Sequence, residues 1–411
     1  MSENLARQFL IREDVVFLNH GSFGACPRPV FAAYQGWQLE LEGQPVEFLG
    51  RKLTENMRVP RVALAAELGT SPEDIVGLTN ATLGLNIVAQ SLDLKPGDQI
   101  LTTDHEYSAL EKTWAYVARR TGAEIVVVTV PMPLLTEAQF TDTIIAGMTE
   151  RTKVLFLSHI TSPTALLFPI EASIAEARKR GIWSVIDGAH TPGHIPLKLD
   201  AIGADFYSGN CHKWMMSPKG SAFLHARPEV QHLLNPLVIS HGWTKDSKEP
   251  GAKGAFGNSP FIDEIEVQGT RDPSAWLTVP TAIQYRHDND WTSIQAHCQA
   301  LAQDTARRLG ELTGLAPLSA PEFCAPQMVA MPIPECDVDQ LKIDLYDKYA
   351  IEIPVFKWQD RCICRVSVQG YNSRPQMDLL IEALTDLLGL RPAQTGAWHR
   401  KADKADELWC V

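Results

Sequence analysis

At 411 residues the chain has room for two or three domains, and its formal net charge of −12 speaks against nucleic acid or an anionic membrane as partner, since both demand a basic face. An apolar content of 45% with 21% charged residues is that of a folded globular protein rather than a disordered one. No window reaches the length of a transmembrane span, and the opening MSENLARQFLIRED carries charges where a secretory signal needs an apolar core, so the cytoplasm is the expected compartment.

Residues 1–18 are expected to cross to a smaller domain, with 15–18 as a short strand. NHGSFGACP then makes a Gly-rich turn into a helix near Pro29, and helical patterning covers 30–42 and 56–68. The run from 100 to 130 reads strand, turn, helix, strand. A helix from Phe140 to Met148 leads to KVLFLSHI (strand), IEASIAEARKRG (helix) and WSVID (strand). Short apolar strands alternating with helices of this length imply an α/β fold on a parallel sheet. PKGSAFLHA looks like a strand returning antiparallel, and 241–259 reads as a polar, Gly-rich loop. Helices at 281–288 and 293–312 lead into a second, smaller α+β domain. Its strands are MVAMPI, IEIPVF and CICRVSV, and its helices cover 337–349 and 375–388. The expected division is an N-terminal segment at 1–18 packing with the small domain, a large domain at 19–285, a small domain at 286–390 and a polar tail at 391–411, whose LWCV could pack somewhere.

Eight cysteines in so long a chain do not make a disulfide framework. Cys26, Cys211, Cys298, Cys324 and Cys336 are scattered, Cys410 lies near the end, and no C-x-x-C occurs. Cys362 and Cys364 alternate within a strand-like run and should face one side of a sheet. Buried, reduced thiols are the reading, and no metal site is expected. His190 and His194 are four apart, but Pro192 and Gly193 between them break any shared helix face.

The stretch from Ile182 to Lys213 carries the chemistry. Two apolar runs, 183–186 and 204–207, each end in a polar cluster, as buried parallel strands do. The first delivers Asp187 and His190, the second His212 and Lys213. An acid and a lysine at the carboxyl ends of neighbouring strands stand where open α/β sheets bind ligands. Such a pair suits pyridoxal 5'-phosphate, which needs a lysine for its aldehyde and a buried carboxylate beside its pyridine nitrogen. The protonated ring nitrogen beside it should lower the pKa of Asp187 by about 1–3 units, and an apolar pocket should lower that of Lys213. Asn80, Ala81 and Thr82 stand where a strand gives way to a helix, a place that caps the helix and can also cradle a phosphate.

VIDGAH followed by GNCHKW resembles the class V aminotransferase family of fold-type I pyridoxal-phosphate enzymes, whose signature is D-x-x-[HQ] and later H-K. FLNHGSFG, TDHEYSAL, SHITSPTALLFPI, PKGSAFL and QGTRD resemble, in order, its isopenicillin N epimerase-like branch, over residues 17–372. The resemblance implies a large domain with a mostly parallel seven-stranded sheet, a smaller C-terminal α+β domain, and a homodimer with shared active sites. It implies that Ala81 and Thr82 bind the phosphate and that Gly269 and Thr270 reach it from the neighbouring subunit. His190 would meet the phenolic oxygen of the ring and His212 precedes the anchoring lysine. Tyr107, in preference to His105, would stack on the ring face opposite Lys213. Asn210 replaces the Ser that many relatives carry beside the phosphate, leaving Ser208 as a substitute. Arg365, in R-x-S-x-x-x-Y-N, would hold the substrate carboxylate. Asn19 and His20 are expected on the substrate side, and Arg271 at a second acidic group.

These residues imply an enzyme that abstracts the Cα proton of an amino acid, either as an epimerase with Tyr107 as second acid, or as a C–S β-lyase or an aminotransferase. A persulfide mechanism is disfavoured because PVFKWQD, before the Arg, holds no thiol. A degenerate binding protein is disfavoured because Lys213, Asp187 and Arg365 are all retained.

Overall fold

The structure, a computed structural model, describes residues 3–249 and 251–390. The expected tail, with Cys410 and LWCV, lies outside the described residues. Twelve strands are described: β1 Val16–Phe17, β2 Ile75–Leu78, β3 Gln99–Thr103, β4 Glu124–Val128, β5 Thr152–Ser158, β6 Trp183–Gly188, β7 Phe206–Asn210, β8 Ala222–Ala226, β9 Met328–Ile333, β10 Ile351–Glu352, β11 Val355–Trp358 and β12 Arg361–Ser367.

Seven of them form one mixed sheet in the order β2-β8-β7-β6-β5-β3-β4. β8 runs antiparallel to both β7 and β2, as PKGSAFLHA suggested, and the remaining pairs are parallel. Alternate residues of each central strand feed separate cores. Leu101, Leu155, Leu157, Ile186 and Tyr207 join one cluster, whereas Ile100, Val154, Phe156, Val185 and Phe206 join the other. A sheet buried on both faces needs apolar residues at every position, which is why these strands read as unbroken apolar runs. β4 at the edge is half exposed, with Val127 56% accessible.

The crossover helices start where local chemistry stops the strand. Asn80 accepts the Leu83 amide at 2.8 Å and caps Ala81–Ser91. Thr136 and Gln139 form a capping box that opens Glu137–Gly147, three residues before the expected start. Between the first two long helices, Arg28–Gly43 and Leu53–Leu68, a π-helical turn at Glu47–Lys52 extends the helical stretch beyond its sequence signal.

The smaller C-terminal domain holds the antiparallel sheet β11-β12-β9 with its own core, to which Cys362, Cys364, Val366, Val329, Met331 and Leu345 belong. The two cysteines do face one side. The single strand expected at IEIPVF is two. Pro354 lacks an N–H, its carbonyl accepts the Arg365 amide at 3.0 Å, and the chain changes sheet there. β10 pairs instead with β1, Val16 opposite Ile351.

Candidate active site

The parallel strands β5 and β6 present their carboxyl ends to a cavity of about 740 Å³, which the small domain and the turn after β1 close from the other side. Asp187, His190, Asn210, His212, Lys213, Asn80, Ala81, Thr82, Tyr107 and Arg365 all line it. Residues almost 290 positions apart in the chain thus share one space.

Asp187 and Lys213 form the floor. Asp187 is 4% exposed, and its Oδ1 accepts the Ala189 amide at 2.9 Å. Gly188 intervenes because a Cβ there would meet the Tyr207 ring at 2.0 Å. Burial pushes the Asp187 carboxyl up, against the opposing pull of the Ala189 amide and Lys213. Here desolvation outweighs the pull of Lys213; the expected lowering concerns the carboxylate beside a protonated ring nitrogen. Burial, with Arg365 adding repulsion, lowers Lys213 to about 7, as an apolar pocket should. Its Nζ lies 2.9 Å from His190 Nε2.

Arg365 enters from β12, 5% exposed. Nη1 donates to the carbonyl and hydroxyl of Ser162, and Nη2 to Ser22 Oγ at 3.3 Å. Its Nε has no partner, and among the described residues no carboxylate pairs with it. Burial pulls the guanidinium down to about 10, with Tyr107 opposing. A buried cation with only neutral acceptors, facing a cavity, is suited to an anionic ligand.

Asn210 lines the cavity, and its Oδ1 accepts the Ala81 amide at 2.8 Å and ties the head of Ala81–Ser91 to β7, so only its N–H groups could meet an anion. Ser208 is fully buried, donates to the Phe223 carbonyl at 2.7 Å and does not line the cavity, so it is no substitute. His212 donates from Nδ1 to the Ser221 carbonyl at 3.2 Å, leaving its other edge toward the cavity. His105 is buried against Trp358 and Phe168, and it is Tyr107, 44% exposed, that reaches the cavity.

Asn19 and His20 do not line the cavity. Asn19 donates to Glu352 Oε1 at 3.2 Å, and His20 lies beneath Lys213 with Nε2 3.0 Å from its carbonyl. The short helix His20–Phe23 turns His20 inward and puts Gly21, Ser22 and Phe23 on the wall. Gly24 permits that approach: its φ is +71°, and a Cβ there would strike the His212 carbonyl at 1.9 Å. Gly269, Thr270 and Arg271 stand in a separate cavity of about 630 Å³ beside Arg61 and Glu266.

Glu106, Trp358 and Gln359 are among the wall residues that went unread in the sequence. Glu106 is buried in the turn after β3 and accepts from Thr103 Oγ1 at 2.7 Å and Ser158 Oγ at 2.6 Å. Burial raises it to about 8, and Asp187 adds to the rise. Its signal was an acid directly after the strand tip. Trp358 and Gln359, at the β11–β12 hairpin, bond to Asp104, at 3.3 Å to its carbonyl and 2.8 Å to its carboxylate, and pin the hairpin over the cavity. Nothing local marked them, because the large-domain residue they meet is some 250 positions away.

Residues 17–380 match the family model described as aminotransferase class-V. The chain belongs to the class V aminotransferase family. It is 33% identical to isopenicillin N epimerase of Streptomyces clavuligerus over 94% of this chain and 98% of that protein. It is 28% identical to a probable L-cysteine desulfhydrase, chloroplastic, of Arabidopsis thaliana, over 84% of this chain and 75% of that one. The fold matches the crystal structure of the cysteine desulfurase CsdA from Escherichia coli with a TM-score of 0.78 at 21% identity, covering 95% and 99% of the two chains. Pyridoxal phosphate is the cofactor of this family of enzymes. The residues present fit it: a buried amine, a buried carboxylate on the neighbouring strand, a helix head at one wall and a buried guanidinium without an acid share one cavity. Among the described residues no helix is long and apolar enough to cross a membrane, and no cluster of His, Cys, Asp and Glu suits a metal.

Proposed function

We propose that the chain removes the Cα proton of an amino acid and returns it on the opposite face, an epimerase of the isopenicillin N type. The observation that carries the reading is that one cavity brings together a near-neutral amine at Lys213, a phenol at Tyr107 and an acid-free guanidinium at Arg365. The likeness to the Streptomyces epimerase supports it.

Bound pyridoxal phosphate supplies an aldehyde that joins an amine and a protonated ring that draws electrons from Cα. In this reading Lys213 anchors it, Asp187 faces the ring nitrogen and His190 the phenolic oxygen. Asn80, Ala81, Thr82 and His212 face the phosphate, together with Gly269 and Thr270 of a neighbouring copy. Arg365 holds the substrate carboxylate, and Ser22 and Ser162 orient its guanidinium. Lys213 Nζ takes the Cα proton; burial lowers the amine to about 7, which suits a base near neutral pH. Tyr107 gives a proton from the other side. Phe23 and Trp358 supply aromatic surface to the cavity wall.

The reading includes a homodimer in the cytoplasm. Gly269 and Thr270 are exposed and line a cavity other than that of their own chain's Lys213, and Leu39, Val46 and Val59 leave apolar surface on the first two long helices and the turn between them. Seven described cysteines are free thiols, which suits a reducing compartment.

A C–S lyase is the second reading, favoured by the Arabidopsis relative. No described cysteine lines the cavity, so such a lyase would release its sulfur product directly rather than through a protein persulfide. The discriminating experiment incubates the loaded enzyme with amino acids and cysteine conjugates in deuterated water. Exchange and inversion at Cα without pyruvate supports the epimerase; pyruvate and ammonia from cysteine conjugates overturns it for the lyase.

A further inference from the structure

Lys213 and His190 face each other through nitrogens that can each be donor or acceptor, so their 2.9 Å contact leaves the proton unassigned. A third residue assigns it. The Trp214 indole N–H points at His190 Nδ1 at 3.3 Å, and an indole nitrogen can only donate. His190 Nδ1 must therefore present a lone pair, and the ring proton sits on Nε2. That proton is directed at Lys213 Nζ, which must accept it and so must itself hold a lone pair.

The Trp214 ring has no freedom to withdraw its donor. His194 stacks on it at 4.0 Å and 22°, and His20 lies 4.9 Å away. Both flanking rings are tied to backbone. His194 donates from Nδ1 to the His190 carbonyl at 3.0 Å and accepts the Gln327 amide on Nε2 at 2.9 Å. His20 donates from Nε2 to the Lys213 carbonyl and meets the Tyr371 hydroxyl at 3.0 Å through Nδ1. Arg286 holds the Trp214 carbonyl at 2.9 Å. The cradle thus joins the turn after β6, the lysine loop, the N-terminal segment and the small domain.

We propose that Trp214 is a positioning residue that fixes His190 as the Nε2–H tautomer and thereby holds the Lys213 amine as a hydrogen-bond acceptor, ready to capture an aldehyde. The same tautomer offers a donor to an oxygen that replaces the amine. The consequence for catalysis rests on the proposed role of Lys213; the tautomer assignment does not. The titratable and charged groups facing Lys213 are Asp187, Arg365, His190, His212 and His20, and those facing His190 add His194. Of these groups, His190 is the one hydrogen-bonded to the Trp214 indole nitrogen.

Two measurements on the full-length chain test this. The first is the pair of ¹⁵N ring shifts of His190 through the neutral range, expected to show a protonated Nε2 and a bare Nδ1. A protonated Nδ1 in the unsubstituted chain overturns the proposal with no variant needed. The second is the pH dependence of the rate at which the cofactor-free chain captures pyridoxal phosphate. Trp214→Phe keeps the stack and removes the donor, so the other tautomer becomes accessible and the ammonium form of Lys213 gains an acceptor. The midpoint should then move alkaline by about one pH unit, a tenfold change in the amine fraction. In a His190→Gln background, where no tautomer exists, Trp214→Phe should add no further shift. An unmoved midpoint, or an equal shift in both backgrounds, means the indole only packs. If the unsubstituted chain captures no cofactor at all, the proposed function fails while the ring shifts still decide this inference.

Discussion

Two buried arginines line two cavities of this chain, and their different partners separate chemistry from architecture. Arg61 is 1% exposed and meets the Glu266 carboxylate at 2.6 Å, while Glu266 also accepts the Gly77 amide at 2.8 Å. Arg365 is as deeply placed, yet it has only serine oxygens for company. A buried cation matched by an acid holds helix to helix; one left with neutral acceptors at a cavity wall is available to an incoming anion. Lys213 belongs with the second kind, its charge disfavoured by burial and its contact a histidine rather than a carboxylate.

The sharpest way to break the contrast is Lys213→Ala. Loss of the amine should abolish the absorbance band of bound cofactor and cut turnover by at least about 10³-fold, with the melting temperature nearly unchanged. Arg365→Ala and Arg61→Ala should then part in opposite directions. Arg365→Ala is expected to lower kcat/KM by about 10²–10³-fold, since charge-assisted bonds to the substrate are worth roughly 1.5–3 kcal/mol each, with little loss of stability. Arg61→Ala strands the Glu266 carboxylate and should cost about 3–5 kcal/mol in denaturant unfolding. Equal stability losses in the two variants would dissolve the distinction.

Tyr107→Phe addresses the opposite face of the site. Inversion should fall about 10²-fold while exchange of the Cα hydrogen with solvent, which Lys213 alone can perform, is retained. Loss of both together would remove Tyr107 from its role as second acid.

The smallest effect concerns Glu106. Its carboxyl is raised to about 8 in the folded chain, so the fold binds that proton more tightly than the unfolded chain does. The stabilisation is complete below the ordinary carboxylate range and is lost as pH rises toward 8. Glu106→Gln has no such proton to lose. Between about pH 5 and about pH 8 its melting temperature should fall less than that of the unsubstituted chain, by a few degrees at most.

Asp187 and Lys213 were legible because each sits where an unbroken apolar run stops, and parallel strands put such endings on one edge of the sheet. Arg365 needed its family register, since an arginine within a strand has no signature of its own. What stayed hidden depends on long-range geometry. The turn at His20–Phe23 was recognised, but which of its side chains face inward follows from the close approach of Gly24 to the His212 carbonyl. Asn210 stands on the cavity wall as its sequence position implied, but the bond of its oxygen to the Ala81 amide, 129 residues away, had no local signal. Pro354 lay in plain view inside IEIPVF, yet only the pairing of β10 with β1 shows that the chain changes sheets there.

The whole account turns on the amine of Lys213 being the cofactor's point of attachment. Loading the chain with pyridoxal phosphate, reducing it with borohydride and sequencing its peptides by mass spectrometry tests this without assuming a substrate. The peptide containing Lys213 should carry the pyridoxyl phosphate group on that side chain. An unmodified Lys213, with the label on another lysine or on none, would contradict it.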